Sequence, residues 1–151
     1  MPEGPYLFDV GVTALAHSNA PVREAALSYV RRAITGDIDA VVPYASVIGA
    51  HNALTSYYGL SNSRATELLQ NFTSSRQIHW HRGMSEELVL EGLKRAEALG
   101  GWDGYYAEVA RTEGVETILT IDDDFEAVEG VSCEVVLNAE EFGELNEYLG
   151  Y

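Results

Sequence analysis

Residues 6–43 read YLFDVGVTALAHSNAPVREAALSYVRRAITGDIDAVVP, and the alternation of apolar runs with turn residues in that stretch decides the fold. Tyr6-Leu7-Phe8 is a short apolar run that stops at Asp9, as a buried strand does. Gly11 then permits a sharp turn. Over residues 21–35, Val22, Ala26, Tyr29, Val30 and Ala33 fall on one stripe at helical spacing, which predicts an amphipathic helix opened by a proline in its first turn. Gly36 ends it, and Ala40-Val41-Val42 is a second buried strand running into Pro43. A strand, a helix and a strand in that order predict a parallel pair joined by a right-handed crossover.

The same grammar continues outward. A helical pattern runs from residue 44 to about 58 and closes at Gly59; Ser61 caps a helix through Leu68, Leu69 and Phe72. A third strand follows around Ile78-His79-Trp80-His81. Ser85 caps a helix over 85–99 that ends at Gly100-Gly101, and another starts near Trp102-Asp103 and runs to Glu113, where Gly114 terminates it. Residues 116–119 (ETIL) form a strand leading into Thr120-Ile121-Asp122-Asp123-Asp124-Phe125, and a last short strand lies near 132–136. Asn138 with Glu141 is a capping-box pattern opening a C-terminal helix. The expected architecture is α/β, with a mostly parallel twisted sheet of four to five strands covered by helices on both faces, and residues 1–151 form one domain with no linker or repeat.

No apolar run reaches the roughly 18 residues that a membrane span needs, and the N-terminus lacks a basic, apolar leader, so a soluble cytoplasmic protein is expected. Cys133 is the only cysteine, which fits a reducing compartment and a small buried side chain. Against 24 Asp plus Glu stand 9 Lys plus Arg, a net charge of -15 in which Lys94 is the only lysine. Such a surface resembles the halophilic adaptation to molar salt. In dilute buffer it would repel nucleic acid; at about 1 M salt the Debye length falls to about 3 Å and only contacts at a site still feel the charge. The alternative is an acidic protein that binds a basic partner.

Ligands of parallel α/β sheets bind outside the carboxyl ends of the strands, where strand order reverses. Asp9 and Asp122 both stand just past such ends, and Asp103, in the first turn of a helix, can point to the same edge. Carboxylates gathered there repel one another unless a hard, oxygen-preferring cation such as Mg2+ or Mn2+ neutralises them.

The segments Leu7-Phe8-Asp9 followed by a short helix, Trp102-Asp103-Gly104-Tyr105-Tyr106-Ala107, and Leu119-Thr120-Ile121-Asp122-Asp123-Asp124-Phe125 resemble the PIN-domain family, specifically its VapC-type toxins. The run Ala53-Leu54-Thr55-Ser56-Tyr57-Tyr58-Gly59-Leu60-Ser61 is similar to the end of that family's third helix, so the resemblance spans nearly the whole chain. It implies a three-layer α/β/α fold and a Mg2+- or Mn2+-dependent endoribonuclease in which Asp9, Asp103 and Asp122 are catalytic and bind metal. Asp124 is then an extra metal-binding acid and Thr120 a steadying hydroxyl. It also implies RNA as substrate, a small VapB-like antitoxin as partner, and a homodimer.

One position departs from the family pattern. The usual glutamate of the third helix is replaced by Gly49, and no carboxylate occurs from residue 44 to 63. Ser46, His51 and Asn52 are nearby substitutes, although His51, two residues on, projects about 200° around the helix. A helical glycine costs about 1 kcal/mol against alanine, so something other than propensity placed it there. The alternative function is therefore a PIN-fold binding or regulatory module without catalysis. A phosphate-accepting receiver domain also clusters aspartates, but its acidic pair should come early and its lysine late, the reverse of what is found here.

Blander roles are expected elsewhere. His79 and His81 share a strand face at a spacing that suits zinc, yet no third ligand is near in sequence, and a structural role is favoured. Glu108 is expected on the surface or at an interface, Arg31 and Arg32 on a helix surface, and Tyr57, Tyr58, Tyr105 and Tyr106 in packing rather than base stacking.

Overall fold

Every strand places alternate residues on opposite faces, and the two apolar clusters divide along that alternation. The computed structural model describes residues 3–99, 101–121 and 131–151. In β1 (Glu3–Phe8), Tyr6 and Phe8 enter one cluster and Leu7 the other; in β2 (Ile38–Pro43), Ile38, Ala40 and Val42 oppose Val41; in β4 (Thr117–Thr120), Leu119 opposes Ile118. The first face is covered by α1 (Val10–His17), α2 (Arg23–Thr35), α3 (Tyr44–Ser56), α4 (Asn62–Thr73) and α7 (Ala139–Leu149), the second by α5 (Glu86–Leu99) and α6 (Gly101–Glu113). This is the expected three-layer α/β/α arrangement.

With β3 (His79–His81) and β5 (Ser132–Val135), five strands pair in the order β3-β2-β1-β4-β5, every described pairing parallel. Strand order reverses at the β1/β4 boundary. A receiver domain would show 2-1-3-4-5, so that reading is excluded by topology.

Local signals set most boundaries. Ser61 and Asn138 cap α4 and α7, the latter with both halves of the capping box, and Ser85 Oγ accepts from Leu88 N at 3.1 Å. Two expectations fail locally. Pro21 precedes α2 rather than opening it, because Pro21 and Val22 form a turn. Gly11 lies inside α1 and not in a turn: a Cβ there would stand 3.1 Å from Ile121 Cγ1, so the glycine permits α1 to approach the end of β4.

Candidate metal centre

Asp9 leaves β1 as the N-cap of α1 and is only 7% exposed. Its Oδ1 accepts from Val12 N at 2.8 Å, and its own backbone N donates to Leu119 O at 3.3 Å, tying the residue to β4 across the switch point. The positive end of the α1 dipole steadies a carboxylate in this position. Thr120, the last residue of β4, is buried at the same sheet edge.

Asp103 stands half-buried in the first turn of α6. Tyr106, one turn later and on the same side of the helix, is 1% exposed and close enough to Asp9 to feel its charge. Burial first, and the Asp9 carboxylate second, push the Tyr106 phenol well above its ordinary pKa. Its hydroxyl sits beside Ser46 and the Val10 backbone, but among the described residues neither contact has hydrogen-bond geometry. Ser46 is itself buried and donates to Pro43 O at 2.7 Å. Tyr58 is a further phenol near Asp9, pushed up to about 12, chiefly by burial. The structure thus places Tyr106 beside Asp9, and Asp103 one turn before Tyr106 on α6. Asp122 and Asp124 lie outside the described residues.

Gly49 has a steric cause. A Cβ at this position would fall 2.9 Å from Val10 Cγ2 and 3.1 Å from Trp102 Cζ2. The Trp102 indole is held there by stacking on Tyr106 (centroids 5.8 Å apart, planes at 20°) and by edge contact with Tyr105 at 5.9 Å. Space that an acidic side chain would enter from α3 is filled from α1 and α6. The neighbouring substitutes divide: Ser46 faces the site, His51 contacts Thr66 Oγ1 on α4 at 3.1 Å, and Asn52 is exposed, with its Oδ1 accepting from Ser56 Oγ at 3.4 Å.

The donors gathered here are carboxylate and hydroxyl oxygens, which suit a hard divalent cation in kind. Among the described residues no group of three or more His, Cys, Asp or Glu converges tightly enough to hold a metal ion. That applies also to His79 and His81, which both contact Glu113, at 2.9 and 2.7 Å. The His81 hydrogen bond, ahead of the His79 charge, holds the Glu113 carboxyl below its ordinary pKa against the opposing effect of burial.

Glu108 is not the surface acid expected: it is 2% exposed, with Arg111 Nε donating to its Oε2 at 3.0 Å. Arg31 and Arg32 pair with Glu24 and Glu3 on the surface, as expected. Tyr58, Tyr105 and Tyr106 are packing residues, whereas Tyr57 is 60% exposed. The sequence reading missed Trp102 and Tyr106 as parts of the site; the signal that pointed to Trp102 was Gly49, because a glycine inside a helix marks a close approach by something.

A five-stranded parallel sheet in this order, layered by helices on both sides, is the PIN-type fold that the sequence resemblance led us to expect. Among solved structures the chain is similar to VapC20 of Mycobacterium tuberculosis, a sarcin-ricin loop cleaving toxin, with a TM-score of 0.64 and 14% identity over 81% of this chain and 93% of that one. It is also similar to FitAcB of Neisseria gonorrhoeae, with a TM-score of 0.57 and 17% identity over 87% of this chain and 97% of that one. No family model matches the sequence, and no curated protein matches it either.

Proposed function

We propose that the chain is a metal-dependent endoribonuclease of the VapC toxin type, with Asp9, Asp103 and Asp122 as catalytic metal ligands and Asp124 as an extra acid. The observation that carries this reading is the buried Asp9 carboxylate at the β1/β4 switch point, with the buried Tyr106 of α6 beside it and Asp103 one turn earlier on that helix. A bound Mg2+ or Mn2+ would supply a water of lowered pKa and offset charge on the phosphate. Asp9 and Asp103 would hold the ion, Thr120 and Ser46 would steady the wall, and the apolar flank of Val10 and Trp102 would limit access of bulk water.

Several further parts belong to this reading. The whole chain acts as one domain in the cytoplasm, and among the described residues no helix is long and apolar enough to cross a membrane. The exposed apolar strip of Met84, Leu90, Leu93 and Trp102 supports pairing into a homodimer. A small VapB-like antitoxin would silence the acidic centre with an arginine or an aromatic segment. The acidic surface supports a halophilic habitat.

The test is cleavage of a mixed RNA pool in molar KCl with Mn2+ or Mg2+. Wild type should cut, while chelated wild type and Asp9→Asn should not; cutting that persists in Asp9→Asn rules the centre out. The packing of Trp102 against Gly49 favours the second reading, a PIN-fold binding module without catalysis. Under that reading the wild type binds RNA or a protein partner and never cuts.

A further inference from the structure

The chain has 9 Lys and Arg residues in an envelope of net charge -15. Among those whose side chains are described, Arg31, Arg32, Arg64, Lys94 and Arg111 each lie within 3.3 Å of a carboxylate. Arg23 donates to Ser18 O and Asn19. Arg76 and Arg82 are exposed, and among the described residues they make no hydrogen bond or ion pair. With carboxylates in such excess, two unpaired arginines in one place are unexpected. They line a single cleft of about 440 Å³ together with Ser74, Ser75, His79 and Trp80, and no carboxylate is among its described lining residues. Glu113, which contacts His79, is shared between that ring and His81.

An aromatic platform adjoins the arginines. Trp80 is fixed by a hydrogen bond from its Nε1 to Ser75 O at 3.0 Å and by Phe72 edge-on at 5.2 Å. Tyr44 stacks on it, with centroids 5.1 Å apart and planes at 14°, and remains 37% exposed. Pro43 and His81 are register partners at the ends of β2 and β3, so the residues that follow them line up along the carboxyl edge of the sheet. From edge to centre the row is Arg82 after β3, Tyr44 after β2, and Asp9 after β1. Strands lie about 4.8 Å apart, so β3 and β1 are separated by about 10 Å.

We propose that the cleft and the row that leads from it form a track for single-stranded RNA: Arg76 and Arg82 in the cleft neutralise backbone phosphates, and the Tyr44–Trp80 pair stacks an unpaired base on its way to Asp9. The inference rests on the reading of the Asp9 centre as an RNA-cutting site, and it adds where and in what form the substrate arrives. It commits to an unpaired strand, because a stacking platform needs a base with a free face.

The experiment is binding of a fluorescently labelled single-stranded oligonucleotide across a KCl series. It compares Asp9→Asn, which should not cut, with Asp9→Asn carrying Arg76→Ala and Arg82→Ala, and with Asp9→Asn carrying Tyr44→Ala. Losing both arginines should weaken binding at least tenfold and flatten the slope of log affinity against log salt by about 1.4, at roughly 0.7 per phosphate contact. Tyr44→Ala should cost about tenfold with no change of slope. Neither arginine has a partner to lose, so melting midpoints should stay together. Unchanged affinity and slope in the arginine variant, with Asp9→Asn still binding, overturns the track and leaves the Asp9 centre standing. An absence of RNA binding by Asp9→Asn and wild type alike sinks the RNA reading and the track together. Capture of poly-L-glutamate by the same arginines, with no RNA bound, overturns it in favour of an acidic protein partner.

Discussion

Two strand-to-helix corners stand side by side at the carboxyl edge of the sheet, and they are built in opposite ways. At the first, β1 ends in Asp9, whose carboxylate caps α1 and faces the switch point. At the second, β2 ends in Pro43, which gives α3 no side-chain cap, and the helix has Gly49 at the position where the resembled family carries an acid. The first corner is polar and made by the chain's own local signals. The second is made by its neighbours, Val10 and Trp102, which leave room for nothing larger than hydrogen at residue 49. The absence of an acid at residue 49 is thus coupled to apolar packing, and placing one there takes more than a single substitution.

The largest expected effect lies at the first corner. Asp9→Asn should reduce RNA cleavage a hundredfold or more, while melting close to wild type, since asparagine caps a helix about as well as aspartate. Asp9→Ala should lose activity and also about 1 kcal/mol of stability. Comparable melting of the two would show that the cap contributes nothing.

At the second corner, Gly49→Ala should destabilise the protein by about 1–3 kcal/mol through overpacking, even though alanine is the better helix former. Much of that cost should vanish in a Trp102→Ala background, a coupling readable in a double-mutant cycle of denaturant midpoints. If Gly49→Ala is stabilising instead, the corner is roomier than it looks. Gly49→Glu alone should therefore fail to create or strengthen a cation site.

Smaller still is Tyr106→Phe, which removes a buried hydroxyl with no partner among the described residues. Stability should stay level or rise by up to about 1 kcal/mol. A drop in activity or in cation affinity without a drop in stability would mark the hydroxyl as part of the centre.

The smallest effect is a pH dependence remote from both corners. Burial lowers the pKa of His17, whose Nδ1 donates to Thr13 O at 2.7 Å. A folded-state value depressed below the unfolded one, about 6.5, gives stability that is present above that pH and is lost as pH falls through the folded value. His17→Leu should remove this part of the acid-side slope, measured as melting temperature between pH 7 and 5.

What was legible in the sequence follows the same division. Asp9, Ser61, Ser85 and Asn138 act through hydrogen bonds within three residues of themselves, so their positions announced the elements they begin. Apolar runs in β1, β2 and β4, alternating with helical patterns, announced the sheet covered on both faces. Gly11 and Gly49 are glycines because distant segments press on them, and no local pattern says from which side the pressure comes. Glu108 was misread for the same reason: helical geometry told where it points relative to Asp103 but not that the position is buried. The fold and the position of Asp9 at the end of β1 could be read from short-range chemistry, while the packing of Trp102 and Tyr106 beside it required tertiary contacts.

The most direct test of the acidic centre is a calorimetric titration of metal-free protein with Mn2+, repeated on Asp9→Asn and Asp103→Asn. We predict one saturable ion on the wild type and at least a tenfold loss of affinity in each variant, with folding unchanged. Equal Mn2+ affinity in all three proteins would contradict the account, because it would mean that these two carboxylates do not share a cation.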